Sequence, residues 1–167
     1  FFIDKYLLKS VIPHKKFVYF PLHLEPEEDI LMGAPFYTNQ IEVIKNIAKS
    51  LPTGYVLYAK EHPIQRKLNW RPISFYKQIL ELPNVTLIHP EVTNAELTEK
   101  CSLVITIGGS AGLQAAFFQK PSIVFGDSIY SDLSCVHRVK KLEELPKIIK
   151  TSLKKKVELG ELGNFMN

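Results

Sequence analysis

The chain has no apolar run approaching the ~20 residues that a helix needs to cross a bilayer. Cysteine is scarce. Cys101 and Cys135 are the only two and show no motif spacing; they read as small core residues of a reducing compartment, not as a disulfide framework. The histidines at 14, 23, 62, 89 and 137 fall in separate predicted elements, and no His/Cys/Asp cluster has ligand spacing, so no metal site is expected. The fingerprint G-x-G-x-x-G is missing, and the first strand does not run into a glycine turn, which argues against NAD binding. A net positive charge is also missing from most of the chain. Of a net +4, residues 138–156 carry eight Lys/Arg against two acids, which leaves the rest slightly acidic. Basicity confined to one C-terminal segment does not point to nucleic acid.

What is present is the composition of a globular domain: 167 residues, 46% hydrophobic and 23% charged, enough for one core. The chain begins at Phe1 without a methionine, and a piece of a longer protein is expected, whose own start would carry any targeting signal.

One stretch organises the rest. In residues 103–127, LVITIGGSAGLQAAFFQKPSIVFGD, an apolar run is followed by Gly108-Gly109-Ser110-Ala111-Gly112. A small-residue helix pattern, a Lys120-Pro121 break and a second apolar run come next. This reads as strand, glycine turn, helix, strand, with both strands buried on two faces and therefore parallel. Ser110 sits where the helix begins. Its hydroxyl and the amides of the first turn can hold an anion such as a phosphate, or Ser110 is simply an N-cap and the glycines simply make the turn.

Similar units precede it. Phe17–His23 is the first strand, with Pro21 near its end. A long acidic loop follows, LEPEEDILMGAPFY, of a length that suggests function. Thr38 is read as the cap of an amphipathic helix that ends at Pro52. Tyr55–Lys60 is strand two and runs into Glu61-His62-Pro63. IQRKLNWRPIS reads as a polar surface loop, and SFYKQILEL as a short helix capped by Ser74. Val85–His89 is strand three, and Asn94 caps the helix AELTEKC. Val136–Val139 is a short sixth strand, and Leu142–Leu153 a last helix with one apolar face.

The alternation implies an α/β fold, a Rossmann-like doubly wound parallel sheet of five or six strands in the order 3-2-1-4-5-6 with helices on both faces. Residues 1–16 form a linker or interdomain helix packing on something outside the chain, 17–139 the Rossmann-like domain, and 140–167 a basic amphipathic helix and tail. In such sheets a ligand lies beyond the carboxyl ends of the strands, near the order reversal between strands one and four. His23, Glu25, Glu61, His62 and Gly108 to Ser110 are gathered on that rim.

Several of these residues could carry chemistry. Proline after His62 restricts its backbone and aims the imidazole, which could donate to a phosphate oxygen or protonate a leaving group, or be satisfied by backbone groups. His89-Pro90 repeats the pattern one strand later. Glu25, with Glu27 nearby, could be a general base or receive a ribose hydroxyl, or lie in a solvated acidic loop. His23 points into the crevice or into the core; Gln40 touches a ligand or caps the turn. GGSAG also matches G-x-S-x-G, but Asp127 or Asp132 with His137 lie too close in sequence for a comfortable hydrolase triad.

Three pieces, YFPLHLEPE, YAKEHP and TIGGSAGLQAAFFQKPSIVFG, together resemble the C-terminal half of bacterial capsule polysaccharide biosynthesis proteins, the group that includes β-Kdo transferases. More broadly they resemble the nucleotide-sugar-binding half of two-domain GT-B glycosyltransferases. The resemblance covers residues 17–139. It implies a nucleotide-sugar donor, CMP-Kdo in the Kdo branch, as substrate and no metal or other cofactor. His62 and Ser110 with the turn residues Gly108, Gly109, Ala111 and Gly112 would hold the nucleotide phosphate, with Lys60 and Glu61 flanking. Some relatives carry Gln where this chain has Glu25.

The resemblance further implies a missing N-terminal domain with half the cleft, so that this chain alone would be inactive. A glycolipid or polysaccharide acceptor and a cytoplasmic location are implied too. The basic last helix is either a solvated face or a peripheral contact with an anionic membrane. Two other functions fit the same rim: polyol-phosphate transfer of the teichoic acid type, and a non-catalytic interaction module.

Overall fold

The structure, a computed structural model, describes residues 8–10, 15–24, 37–68 and 70–157. Six strands form one sheet in the order β3-β2-β1-β4-β5-β6. They are β1 (Phe17–Pro21), β2 (Val56–Lys60), β3 (Val85–Ile88), β4 (Leu103–Thr106), β5 (Ser122–Val124) and β6 (Val136–Arg138), and every pairing is parallel. This is the expected order, and it follows from the buried apolar runs. β1 and β4 are covered on both faces, so neither can sit at an edge.

Successive side chains alternate between the two layers. Val18, Phe20, Leu57 and Ile105 face a core shared with α1 (Gln40–Ser50), α3 (Ile73–Leu80) and α6 (Leu145–Ser152). Phe17, Tyr19, Tyr58 and Val104 face α4 (Asn94–Lys100) and α5 (Ala111–Phe117). The rings of Phe17 and Tyr58 stack at 4.3 Å on this second face. Among the described residues no helix is long and apolar enough to cross a membrane.

The helix starts differ from the sequence reading by a residue or two. Asn39, not Thr38, caps α1, its Oδ1 accepting from the Glu42 amide at 3.3 Å. Thr93, not Asn94, caps α4, its Oγ1 accepting from the Glu96 amide at 3.1 Å. α3 begins after Pro72, and Ser74 does not cap it. Each miss involves neighbouring residues that are both able to start a helix. Ser110 occupies the N-cap position of α5 but has helical backbone angles and makes no capping bond; only the extended backbone of a usual N-cap aims the hydroxyl at the free amides.

Two further corrections concern segments. The expected surface loop 64–74 contains a short helix, α2 (Gln65–Leu68), and a buried Arg71. At the other end of the chain Leu8 is buried, and Lys9 bridges Ile88 in parallel at the edge of β3. Residues 8–10 therefore make contacts with this domain; residues 1–7 and 11–14 of the expected linker lie outside the described residues.

Candidate functional site

The carboxyl ends of β2, β1 and β4 lie side by side, with β1 in the middle. His62 and the glycine turn after β4 are therefore two strand spacings apart, about 10 Å. Side chains join the three ends.

His23 is the central piece. Beyond β1 its backbone is held by Gln40 at the start of α1. The His23 amide donates to Gln40 Oε1 at 2.8 Å, and Gln40 Nε2 donates back to the His23 carbonyl at 3.1 Å. The expected ligand-or-turn residue Gln40 thus braces the rim's own backbone. The same carbonyl accepts from Arg71 Nη2. On the other side the ring Nε2 lies 3.1 Å from Thr106 Oγ1, which itself donates to the Gly108 carbonyl at 2.6 Å. Thr106 has one hydroxyl hydrogen, and Gly108 takes it, so the imidazole must carry its proton on Nε2 and donate.

The turn itself needs glycine at one point: Gly109 has φ +74°. Its carbonyl accepts from the Tyr130 hydroxyl, while the Gly108 carbonyl is taken by Thr106. In a trans peptide the C=O and the next N–H point opposite ways. The amides of Gly109 and Ser110 are therefore turned away from Thr106 and Tyr130. Gly112 is required for space: a Cβ there would stand 2.8 Å from Tyr130. Ser110 is exposed, and its Oγ accepts from Gln114 Nε2 at 3.1 Å, leaving its own hydrogen to donate. Ala111 packs against the α4/α5 core.

At the end of β2 the three residues of the Lys-Glu-His run go to three places. Lys60 is 2% exposed, and its Nζ donates to Asn94 Oδ1 at 2.7 Å, which also accepts from the Tyr19 hydroxyl at 3.1 Å. Burial pushes the Lys60 ammonium down to a pKa of about 8, against the opposing pull of Glu61. Glu61 points to the opposite layer and is fully buried. Arg71 Nε donates to its Oε2 at 3.0 Å and the Tyr76 hydroxyl to the same oxygen at 2.6 Å. Burial, and then the Glu61 charge, holds the Tyr76 phenol well above its usual range. His62 is half-buried. Its amide donates to Glu61 Oε1 at 2.8 Å, and its Nδ1 accepts from the Ile64 amide at 3.2 Å. The neutral ring therefore carries its proton on Nε2.

His89-Pro90 forms the same local turn, the Glu91 amide donating to His89 Nδ1 at 3.2 Å. His89, however, is buried beside Trp70. The dipeptide is thus a way to hold a ring by its Nδ1, and exposure separates the two histidines. The hydrolase arrangement does not form: His137 Nδ1 is engaged by Ser152 at 2.8 Å, and Asp127 by Arg138. Among the described residues no His, Cys, Asp and Glu group is placed to hold a metal. Glu25 and Glu27 lie outside the described residues.

Arg71, Tyr76, Thr106 and Tyr130 are not marked by the sequence, and Asn94 is marked there only as a helix cap. One signal existed for Arg71: a carboxylate directly after a buried strand needs a cation, and the polar segment after Pro63 is where the chain supplies one.

Comparison with known proteins bears on the family and on the fold. The family model described as capsule polysaccharide biosynthesis protein matches residues 4–144. No curated protein sequence matches the chain significantly. Among solved structures, the Thermosulfurimonas dismutans KpsC beta Kdo 2,7 transferase superposes with a TM-score of 0.61 at 18% identity, over 82% of this chain and 46% of that one. The UDP-GlcNAc 2-epimerase of Methanocaldococcus jannaschii gives a TM-score of 0.64 at 15% identity, over 89% and 42%. Its complex with UDP-GlcNAc and UDP gives 0.58 at 17%, over 84% and 39%. At these identities the likeness is one of fold. The chain spans less than half the length of each.

Proposed function

This chain belongs to the capsule polysaccharide biosynthesis protein family, and we propose that it is the donor-nucleotide-binding domain of a glycosyltransferase that builds surface polysaccharide. The observation that carries the reading is the rim. A half-buried imidazole with its proton on Nε2 and a glycine turn stand at the carboxyl ends of β2 and β4, two strands apart, His62 braced at its amide by Glu61 and the turn by Thr106 and Tyr130. Sugar transfer from a nucleotide leaves charge on the departing phosphate. Fixed N–H donors on either side stabilise that charge without reorganising. His62 Nε2 is one donor; the amides of Gly109 and Ser110 and the Ser110 hydroxyl are the others. Glu25, which follows β1 in the sequence, is the candidate general base within this chain.

CMP-Kdo is the first candidate donor, supported by the family and by the fold shared with a beta Kdo transferase. The acceptor would enter from a second domain. Thermal-shift measurements with CMP, CDP, UDP and GDP on the full-length protein test the donor. CMP is expected to stabilise most. A polymer product containing phosphodiesters would favour polyol-phosphate transfer, and no stabilisation by any nucleotide would favour an interaction module. Titration calorimetry then tests the site: His62→Ala should weaken nucleotide binding about tenfold to hundredfold, the worth of a charge-assisted hydrogen bond. Unchanged affinity would exclude His62 from the phosphate site.

Lys147, Lys150 and Lys154 line one open concavity along α6, which supports peripheral contact with an anionic bilayer, in keeping with the cytoplasmic location that this reading proposes. Co-sedimentation with phosphatidylglycerol vesicles, lost at high salt, would agree; equal recovery with neutral vesicles would not.

A further inference from the structure

A carboxylate and a guanidinium buried together are an expensive way to fill space, because both must be taken out of water. Glu61 is fully buried and Arg71 is 4% exposed. Apolar side chains of the same size would fill that volume without a desolvation penalty. The place of the pair therefore matters more than its net energy.

Arg71 Nε and Nη2 donate to Glu61 Oε2 and Oε1, at 3.0 and 3.5 Å, and each partner also bonds the backbone of a rim histidine. Glu61 Oε2 accepts from Arg71 Nε, while Oε1 accepts from the His62 amide at 2.8 Å. Arg71 Nη2 reaches past the pair to donate to the His23 carbonyl. The guanidinium is a planar fork, so its two donating edges are fixed relative to each other. The pair is locked in turn: the Tyr76 hydroxyl donates to Glu61 Oε2 at 2.6 Å, and the Phe75 ring lies 4.7 Å under the Arg71 guanidinium carbon. β1 and β2 are already joined by their ladder up to Pro21 and Lys60. Beyond that point Glu61 and Arg71 carry the connection on.

We propose that Arg71 and Glu61 are positioning residues, a buried ion pair that sets the separation and direction of His23 and His62 on the rim. Its functional consequence rests on the reading of that rim as a nucleotide site; the positioning itself does not. Through His23 the effect extends to the glycine turn, because the His23 ring donates to Thr106 and Thr106 to Gly108. One arginine thus braces the whole arc from β2 to β4. A lysine at 71 could neutralise Glu61, but one ammonium on a flexible stem cannot reproduce the fork that also reaches the His23 carbonyl.

The test uses the full-length protein with 15N-labelled histidine, the imidazole signals of His23 and His62 being assigned from His23→Gln and His62→Gln variants. Arg71→Met leaves Glu61 buried and unpaired and should lower the unfolding midpoint sharply. Glu61→Gln with Arg71→Met removes both charges and should recover the fold. In that double variant both imidazole signals are expected to shift or broaden, and CMP affinity to fall at least tenfold. Arg71→Lys should move the His23 signal while leaving that of His62 in place, because Glu61 stays paired. A folded double variant with unmoved imidazole signals and wild-type CMP affinity would overturn the proposal. So would Arg71→Lys with an unmoved His23 signal. Moved signals in a protein whose wild type binds no nucleotide would uphold the positioning and refute the nucleotide site.

Discussion

The Lys60 ammonium and the Asn94 side-chain carbonyl lie 2.7 Å apart under the rim, and they join the end of β2 to the first residue of α4. An ammonium 2% exposed with a neutral acceptor is held at the expense of stability. Burial lowers its pKa from 10.5 to about 8. Between those values the unfolded chain keeps a proton on Lys60 that the folded chain has lost, so the contribution of this group to stability rises with pH from about 8 to 10.5; below 8 its full penalty applies. The shift corresponds to ~3 kcal/mol. Lys60→Met should remove it, raising neutral-pH stability by ~1–3 kcal/mol after loss of the Asn94 bond. The rise in stability above pH 8 should disappear with it. Urea unfolding of both proteins at a series of pH values reads both effects, and a stability difference between them that stays constant from pH 8 to 10 would refute the assignment; the buried Cys101 thiol, pushed up to about 12, opposes the Lys60 trend above pH 9 in both proteins alike.

Gln119 ends α5 in the left-handed region, at φ +56°. Its amide donates to the Ala116 carbonyl, and the Lys120 amide to that of Ala115, at 2.9 Å each. These are the two bonds of a Schellman motif, whose reversing residue is usually glycine. Gln119 is exposed, so its side chain offers little packing in return. Gln119→Gly should stabilise by ~0.5–1 kcal/mol, about 1–4 °C in Tm for a domain of this size. Calorimetry of the variant measures it directly.

Sequence reading reached the strand order because each strand is an apolar run set off by proline, glycine or polar residues. β1 and β4 have no polar face at all, which dictates central positions. It also reached the rim, since polar and glycine residues recur after those runs. It could not say what each rim residue faces. Lys60, Glu61 and His62 are adjacent in sequence, yet strand alternation sends Lys60 to Asn94 on one layer and Glu61 to Tyr76 on the other. Arg71 sits in a polar segment that looks like surface. Only its pairing with Glu61, ten residues earlier, takes it inside. Ser110 looked like a cap because of its place before a helix; its αR backbone, visible only in three dimensions, turns the hydroxyl to Gln114 instead.

Tyr130 fills the space above Gly112 and donates to the Gly109 carbonyl. A methyl at 112 would stand 2.8 Å from the phenol ring, and a ring wedged in a core cannot move aside cheaply. Gly112→Ala should destabilise by ~1–3 kcal/mol. Tyr130→Ser empties the position and should itself be costly, but adding Gly112→Ala to it should have little further effect. A four-state denaturation cycle isolates this coupling. Additive losses would show that the clash is not what makes glycine necessary.

One hydroxyl stands between His23 and the turn. Thr106 Oγ1 accepts from the His23 ring and donates to Gly108, and the residue is completely buried. Valine has nearly the same shape without the oxygen. Thr106→Val would leave a ring N–H and a carbonyl facing a methyl group, and unmet buried polar groups cost ~1–3 kcal/mol each. Thr106→Ser keeps both bonds and loses one methyl, worth about 1 kcal/mol. If the hydroxyl were only packing, serine would be the worse substitution. If it fixes the tautomer of His23 and the peptide of Gly108, valine should be the worse in stability. Valine should also weaken nucleotide binding by the full-length protein, while serine keeps it near the wild-type level. Equal binding by the valine and wild-type proteins would mean that the turn holds its geometry without His23.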